Sequence, residues 1–402
     1  MRKLFILLAI SILAMSITGC SRPAQLSNED TPSSLGLVLG IHENFRVIPT
    51  ETLSNYIYDC AYSYGTCSTV IAEGKPSISC NHIIEKPSAN INNAKRLQLA
   101  DQNSTYILNE IASLKATTPE VDTLKAISVA SESLNSLSIN CKKTMIIIDS
   151  GLSTTGLINF ASTNVIDNSP DYIVNQLMEM HALPSLQGIN IKWIGLGQTA
   201  GVQMELSSSY KYKLQELWNS ILTASGASVE FLGTPLPNVE PSCELPSVTV
   251  VPVVEDCLTL EASNIPDAVK FDEDSSVKFK GDQAVFIDQS AAKEELKPIA
   301  EYLISTKKKM YIVGMTATHG DATQRQQLSL ERSEACKKVL VDYGVSPNQL
   351  ITVGLGFQDN ILRVDDTDAN GNLIESQAKT NRAVYFIKED SSLVDIIISP
   401  TI

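Results

Sequence analysis

The sequence predicts an α/β protein with two globular units. In residues 35–233, short apolar runs alternate with helical patterns. Such alternation favours a doubly wound, mostly parallel sheet that is covered by helices on both faces. A proline- and valine-rich stretch at 234–263 follows, and strand and helix patterns resume over 264–392. A length of 402 residues leaves room for two or three domains of ordinary size.

The individual elements of the first unit follow from hydrophobic periodicity. Predicted strands cover 35–41, 68–72, 144–148, 189–196 and 227–232. Helical patterns lie between them, at 123–137 and in the stripe of Tyr210, Leu214, Leu217 and Ile221 before Gly226.

Residues 234–263 carry five prolines within a valine-rich background, namely Pro235, Pro237, Pro241, Pro246 and Pro252. Proline at this density favours extended polyproline II structure, a semi-rigid spacer of about 3.1 Å per residue. The alternative is an edge strand packed on a neighbouring unit.

The N-terminus predicts export. Arg2 and Lys3 precede an apolar run at 4–15 that is too short to span a bilayer, and small residues lead to Cys20. The four residues Ile17-Thr18-Gly19-Cys20 resemble the lipobox of bacterial lipoproteins. The resemblance implies removal of 1–19, acyl chains such as palmitate on Cys20, and a polar tether at 20–34. Several acyl chains on one residue anchor a protein stably to the cell membrane or the outer membrane.

The second unit contains an unusual arginine. On the helix predicted after Gly314, Arg332 lies on the same face as Leu328, Ala335 and Val339. A guanidinium stays charged inside proteins, so on an apolar helix face it requires a carboxylate. That carboxylate comes either from the chain itself, as an internal salt bridge, or from a ligand.

Several motifs of this unit occur in the order of a known family. They are Gly314-Met315-Thr316-Ala317, Leu328-Ser329-Leu330-Glu331-Arg332-Ser333, Gly344-Val345, Gly354-Leu355-Gly356 and Asn381-Arg382-Ala383-Val384. This pattern resembles the OmpA-like (OmpA/MotB) C-terminal domain, whose first strand and helix correspond to the residues from Phe279 onward. The resemblance implies a βαβαβ sandwich that binds peptidoglycan non-covalently through Arg332, Thr316, Asn381 and Arg382.

One position departs from the family pattern. The family has an aspartate where this chain has Ala317, and that aspartate grips the amino-acid end of diaminopimelate together with the arginine. A lost charge-assisted hydrogen bond is worth roughly 1.5–3 kcal/mol. Asp321 either substitutes for the missing carboxylate or serves as the turn residue after Gly320.

The first unit resembles a divergent von Willebrand factor A domain. The likeness rests on the helix at 123–137, a strand ending in Asp149-Ser150-Gly151-Leu152-Ser153, and the strand at 191–197. It implies a protein-binding or scaffold module. The metal-binding members need D-x-S-x-S after the first strand, where this chain has His42-Glu43-Asn44, so a magnesium site is not expected. Asp149 and Ser153 are either remnants of that site or caps of the following turn.

Two further stretches suggest ligands and have plainer interpretations. Residues 195–200 fit G-x-G-x-x-A, a dinucleotide fingerprint, but the acidic residue expected about 20 positions later is missing, which favours a tight turn. The acidic loop at 365–375 lacks EF-hand spacing, which favours a hairpin turn around Asn370-Gly371. The incomplete fingerprint argues against a bound cofactor, and the lack of a G-x-S-x-G elbow argues against serine hydrolase chemistry. We therefore expect no cofactor and no enzymatic activity.

The net charge and the positions of the cysteines and histidines limit the possible partners, disulfides and metal sites. A formal charge of −14 argues against nucleic acid as a partner. Besides Cys20 there are seven cysteines, and Cys60–Cys67 and Cys243–Cys257 are close enough in sequence to form disulfides. With no C-x-x-C motif and four scattered histidines, a zinc site is not expected.

The sequence therefore predicts a lipid-anchored envelope protein that links a membrane to peptidoglycan and offers its first unit to a protein partner. One alternative is an OmpA-like domain that has lost wall binding and acts as a protein-interaction scaffold. A second is a dinucleotide-dependent enzyme. The tail at 393–402 is apolar and suggests an added strand.

Overall fold

The computed structural model describes residues 31–45, 51–138, 140–233, 244–256 and 260–398. The predicted signal at 1–19, Cys20, most of the tether, Cys243 and Cys257 lie outside these residues. The first strand begins at Ser33, inside the stretch predicted as a tether. Within the described residues, no helix combines the length and apolar character that a membrane crossing requires.

The N-terminal unit is built on a mostly parallel sheet, as predicted. Its strands are β1 (Ser33–Leu39), β2 (Thr66–Ile71), β3 (Ile78–Ile83), β4 (Lys142–Ile148), β5 (Ile189–Ile194) and β6 (Ser228–Leu232). They lie in the order β3-β2-β1-β4-β5-β6, and β3 alone among them pairs antiparallel, with β2. This edge strand was missed in the sequence because most of its side chains are exposed and its residues show no apolar alternation.

Helices cover both faces of that sheet. They are α1 (Glu51–Tyr62), α2 (Asn93–Ser113), α3 (Thr123–Asn135), α4 (Pro170–Glu179) and α5 (Ser208–Ala224). Alternation along β4 shows the two layers: Met145 and Ile147 pack with residues of α3 and α5, whereas Ile146 and Ile148 pack with residues of α1 and α2. Both sets are fully buried, which explains why this strand is a continuous apolar run.

The C-terminal unit has a second sheet in the order β10-β9-β11-β8-β7. Its strands are β7 (Glu255–Asp256), β8 (Ala268–Phe271), β9 (Met310–Met315), β10 (Leu350–Gly356) and β11 (Val384–Lys388). Its helices are α6 (Gln289–Thr306), α7 (Ala322–Asp342), α8 (Glu375–Asn381) and α9 (Ser392–Ile398), with a 3-10 turn at Pro347–Gln349. The run β8-α6-β9-α7-β10 is the predicted βαβαβ sandwich, with α6 and α7 covering one face of the sheet.

Two predicted strands of this unit are wrong. Phe279 lies in a loop that forms only an isolated bridge to Phe286, and the first full strand of the unit is β8, which ends at Phe271. The two phenylalanine rings stack on each other instead of extending a sheet. The apolar tail forms helix α9: Leu393 is buried in the second core of this unit, and Val394 and Ile397 pack against that core at a spacing that suits a helix.

The described part of the predicted spacer is packed against both units. Val248, Val251 and Val253 are buried in the core of the N-terminal unit. The side chain of Gln203 donates to the Val251 carbonyl (2.9 Å) and accepts from its N–H (2.8 Å). The segment then forms β7, which pairs with β8. Residues 244–256 are therefore not a solvated spacer, and the packed-strand alternative is the better description.

The described cysteines are free thiols. Cys60 and Cys67 are both buried and form no disulfide, contrary to one of the pairings suggested by the sequence. Burial raises the pKa of Cys60 to about 12 and the pKa of Cys336 above its usual value. Cys336 is part of the hydrophobic core, as predicted, and a thiol this buried is a poor nucleophile.

Candidate functional site

Two glycines let α7 lie directly on β9 and β10. A Cβ atom at Gly314 would lie 2.0 Å from the Ser329 carbonyl oxygen, and one at Gly354 would lie 2.6 Å from that of Gln326. Any larger residue would therefore push the helix away from the strands. The hydroxyl of Ser333 donates to the Val353 carbonyl (3.0 Å) across the same contact. This close seating fixes the position of Arg332 on the helix.

Arg332 lines a cavity of ≈ 390 Å³ between α7, the loop before α6 and the ends of β9 and β11, called here the Arg332 cavity. Its charged lining residues are Lys278, Arg325, Arg332 and Arg382, which are basic, and Glu273 and Asp282, which are acidic. The basic residues outnumber the acidic ones, so the cavity favours an anionic ligand.

Arg332 itself makes no internal salt bridge to any described residue. Its guanidinium donates to the carbonyls of Gln283 (Nε, 3.2 Å) and Lys280 (Nη2, 3.5 Å) and lies 5.2 Å from the centre of the Phe279 ring. Burial lowers its pKa, yet a guanidinium remains charged in proteins. Of the two alternatives from the sequence, an internal salt bridge is absent among the described residues, and a carboxylate supplied by a ligand stays a prediction.

Two other atoms of the cavity residues lack partners. The Thr316 hydroxyl oxygen and Arg325 Nε are shielded from solvent and make no hydrogen bond to the described residues. The Thr316 backbone is held in place by a bond from its N–H to the Gly356 carbonyl (2.8 Å). Buried polar groups without partners are costly, and a ligand in the cavity would satisfy them.

Of the remaining residues predicted for this site, some line the cavity and others hold the backbone around it. Arg382 and Ala317 line the cavity. Asp321 does not: it caps α7 by accepting from the Gln324 N–H (3.0 Å), which agrees with its interpretation as a turn residue. Asn381 is fully buried and bonds both the N–H (3.1 Å) and the carbonyl (2.8 Å) of Val364, so it is not a ligand contact but holds a loop.

The acidic groups of the cavity were missed in the sequence. Asp282 accepts from Arg325 Nη1 (2.5 Å), and Glu273 accepts from Arg382 Nε (2.6 Å). Asp282 has a positive φ of 52°, in a tight turn after Gly281. The Gly-Asp pair signals a turn, but only the tertiary fold brings this turn to α7.

A buried ion pair positions the Thr316 loop. Arg363 bonds Asp366 and the Thr318 hydroxyl, and its Nη1 donates to the Thr316 carbonyl (3.3 Å). Asp366 is fully buried and also accepts from the Thr318 N–H (2.9 Å). Arg363 and Asp366 therefore hold the wall of the cavity that contains Thr316 and Ala317.

The residues around Asp149 do not fit a magnesium site. Asp149 Oδ1 already accepts from the Gly151 N–H (2.7 Å) and the Thr123 hydroxyl (3.0 Å), while Ser153 Oγ accepts from the Thr123 N–H (3.1 Å). The other carboxylate oxygen lies 2.3 Å from where a Cβ would stand at Gly40, so it fills the space of a side chain there. One engaged carboxylate is too few oxygen ligands for a hard cation, and the capping role describes both residues.

The other two candidate ligand stretches also form turns. Gly195 and Gly197 have positive φ values after β5, but α5 begins only at Ser208, so no helix N-terminus faces the turn as the dinucleotide fingerprint requires. In the acidic loop, Thr367 bridges Leu373, and Asp368 Oδ1 accepts from the N–H groups of Asn370 and Asn372. This is the closed turn that the sequence favoured.

Residues 278–372 match the sequence model of the OmpA family. No curated protein matches the chain in sequence. Among solved structures, similar chains include the peptidoglycan-associated lipoprotein from Burkholderia pseudomallei (22% identity, 31% of this chain and 91% of that chain, TM-score 0.22). Another is the periplasmic domain of Helicobacter pylori MotB, residues 78–256 (21% identity, 34% of this chain and 90% of that chain, TM-score 0.24). A third is the OmpA-like domain of FopA1 from Francisella tularensis (16% identity, 30% of this chain and 69% of that chain, TM-score 0.22). The family match and the ordered motifs on a βαβαβ sandwich show that the C-terminal unit of this chain is an OmpA-like domain.

Proposed function

We propose that the C-terminal domain binds peptidoglycan through the Arg332 cavity while acyl chains on Cys20 hold the chain at a membrane. The observation that carries the proposal is a buried arginine that lines a cavity and has no carboxylate partner among the described residues. Stem peptides of peptidoglycan carry carboxylates, and a guanidinium binds a carboxylate in a bidentate fork. The OmpA family match supports the same class of ligand.

The polar groups of the cavity suggest how it would hold the two ends of an amino-acid ligand. Arg332 would bind the carboxylate, and the unpartnered Thr316 hydroxyl would add a hydrogen bond. Asp282 and Glu273 are the acidic groups of the cavity that could meet an ammonium, since Ala317 supplies none. Because Arg325 already engages Asp282, we expect the affinity to be weak. Attachment at Cys20 raises the effective concentration at the wall, so weak binding suffices for tethering.

A second candidate function is a protein-interaction scaffold without wall binding. Ala317 in the cavity wall favours it, because the carboxylate that the family uses there is absent. The von Willebrand factor A-like character of the N-terminal unit, and its role in binding a protein partner, stay predictions. The absence of enzymatic activity also stays a prediction.

Co-sedimentation with purified peptidoglycan sacculi tests the proposal. The isolated segment 264–392 is unsuitable because it lacks β7 and exposes the surface that packs on the N-terminal unit. The chain from residue 21 onward, which cannot be lipidated, should pellet with sacculi, and Arg332→Ala should abolish pelleting. Lys338→Ala, at an exposed position on the same helix, is the matched control and should pellet like the wild type. Failure of the wild-type chain to pellet would favour the scaffold.

A further inference from the structure

A second cluster of chemistry-bearing side chains lies at the edge of the N-terminal sheet. Cys80 and His82 are two residues apart on the edge strand β3, so their side chains point to the same face. Glu110, from α2, reaches over that face. Cys80 Sγ, an imidazole nitrogen of His82 and a carboxylate oxygen of Glu110 all lie within 4.8 Å of one another.

The polar atoms of this cluster are poorly satisfied. His82 Nε2 and Glu110 Oε2 are 2.9 Å apart, yet neither has a hydrogen-bond partner of acceptable geometry, and both atoms are shielded from solvent. The Thr69 hydroxyl, which belongs to the residue opposite Cys80 on β2, is buried beside the Cys80 thiol. Two unsatisfied atoms so close together are costly for an empty cluster, whereas a cation would coordinate both of them directly.

We propose that Cys80, His82 and Glu110 form a binding site for Zn²⁺ or a similar divalent transition-metal ion. A thiolate, an imidazole and a carboxylate are the three ligand types that Zn²⁺ takes in proteins, whereas Mg²⁺ and Ca²⁺ prefer oxygen ligands alone. On binding, the thiol of Cys80 loses its proton to solvent, and the sulfur, nitrogen and oxygen lone pairs form the bonds to the metal.

The three ligand atoms need to adjust to hold a metal. Tetrahedral ligands at 2.0–2.1 Å from the metal stand about 3.3 Å apart, so His82 Nε2 and Glu110 Oε2 would separate by a few tenths of an ångström. Cys80 Sγ, which lies within 4.8 Å of both, would settle at about 3.6 Å from them, given a Zn–S bond of about 2.3 Å. The ring of Tyr106 packs edge-on against His82, with centroids 5.4 Å apart, and holds the imidazole in place. The Thr69 hydroxyl is available to donate to the metal-bound thiolate, a type of second-shell contact that tunes metal sites.

The fourth coordination position would be open to water. His82 Nε2 and Glu110 Oε2 are themselves shielded, but the two side chains are 18% and 33% exposed, so solvent lies next to the cluster. A bound ion would join the edge strand β3 to α2 and thereby stabilise the edge of the sheet. The spacing that signals this site is C-x-H on a strand, which differs from the C-x-x-C spacing common in structural zinc sites.

Metal titration of the full chain, reduced and freed of metal with a chelator, tests the site. We expect one Zn²⁺ per chain by calorimetry, a higher Tm with Zn²⁺, and a thiolate-to-metal charge-transfer band with Co²⁺ that Zn²⁺ abolishes. Cys80→Ser and His82→Gln should each weaken Zn²⁺ binding at least 10-fold, since changes outside the ligands alone cost 10–100-fold. Cys141→Ser and His181→Gln, which remove the same residue types elsewhere, should bind like the wild type.

X-ray absorption of the zinc-loaded wild-type chain gives a second test that does not depend on a variant's folding. One sulfur at about 2.3 Å and nitrogen or oxygen ligands at about 2.0–2.1 Å are expected. A shell without sulfur, no stoichiometric binding, or unchanged affinity in a folded Cys80→Ser chain would overturn the proposal. Recovery of Cys80 in a disulfide in the chain isolated from its host would also overturn it, because an oxidised sulfur is no thiolate ligand.

Discussion

Lys270 Nζ lies 3.1 Å from Asp167 Oδ2, although the two residues belong to different units of the chain. Their side chains are only 4% and 7% exposed. Lys270 also lies 3.1 Å from Asp256 Oδ1 in β7, and Lys213 of α5 contacts both Asp167 (3.0 Å) and Asp256 (2.5 Å). These four residues, called here the interdomain ion cluster, join the sheet of the OmpA-like domain to the N-terminal unit through alternating charges.

Removal of one charge from the interdomain ion cluster should destabilise the protein. Lys270→Met leaves the buried Asp167 and the half-buried Asp256 with one cation fewer, and the loss of a partner from a buried pair typically costs 3–5 kcal/mol in the free energy of unfolding. Denaturant unfolding of the full chain measures the change. Lys297→Met, at a well-exposed lysine on α6, is the control and should change stability little. An unchanged midpoint for Lys270→Met would show that the two units do not depend on this contact.

The same cluster predicts a loss of stability in acid. Burial acts to raise the pKa of Asp167, but the ammonium groups of Lys270 and Lys213 outweigh it and hold that pKa well below its usual range. Between the folded pKa and the unfolded pKa of about 3.9, the unfolded chain binds more protons, so stability falls as the pH falls through this window. The free-energy difference between wild type and Asp167→Asn should therefore be constant from pH 5 to 7 and shrink by about 1 kcal/mol at pH 3. A difference independent of pH would contradict the pairing.

The elements that were predictable from the sequence are those whose pattern follows from burial. β4 is a continuous apolar run because Ile146 and Ile147 face opposite buried layers, and that run needs no tertiary information to recognise. β3 and the loop at Phe279 were misjudged for the opposite reason. β3 is an exposed edge strand, and the aromatic residues near Phe279 pack on each other and on Arg332 rather than in a sheet.

The candidate site was predictable only in part. Arg332 was recognisable because a charge on an apolar helix face is unusual in any sequence. Asp282, Glu273 and the Arg363–Asp366 pair come from loops whose approach to the cavity is set by the whole fold, so local pattern gives no sign of them. Asn381 was assigned to the ligand from its motif, and Asp321 was one of two alternatives for the missing carboxylate, whereas the contacts of both residues show that they hold backbone.

The contribution of Asp149 to the stability of the protein should change with pH in the direction opposite to that of Asp167. Burial raises its pKa to about 6, despite hydrogen bonds from Gly151 and Thr123 that favour the charged form. The folded state thus binds a proton more tightly than the unfolded state, whose pKa is about 3.9, and stability falls as the pH rises from 4 through 6. Asp149→Asn avoids this cost, so its stability relative to wild type should improve by about 2–3 kcal/mol between pH 4 and 7. Parallel unfolding curves at both pH values give the comparison, and a relative loss at pH 7 would refute it.

Asn381 should matter for stability and not for ligand affinity. Asn381→Ala removes two buried hydrogen bonds and leaves the N–H and carbonyl of Val364 without partners, a loss of roughly 2–4 kcal/mol. Unfolding experiments measure that loss, and sacculus binding is compared at a temperature where the variant is fully folded. Asn370→Ala, in the exposed acidic loop, serves as the control. If a folded Asn381→Ala chain lost sacculus binding while the control kept it, Asn381 would have to be a ligand contact after all.

A substitution at Ala317 should strengthen the binding of a stem peptide. Ala317→Asp places a carboxylate in the wall of the Arg332 cavity, where it would bind the ammonium of a diaminopimelate residue. A charge-assisted hydrogen bond of roughly 1.5–3 kcal/mol corresponds to about 10- to 100-fold tighter binding. Fluorescence anisotropy with a labelled stem peptide that contains diaminopimelate measures the affinity, and Ala317→Asn separates the effect of charge from that of size. Weaker binding by the aspartate variant alone would mean that the new carboxylate pairs internally with Arg332 and displaces the ligand's own. That result would still place the ligand carboxylate at Arg332, whereas equal affinity for all three chains would place the ligand elsewhere.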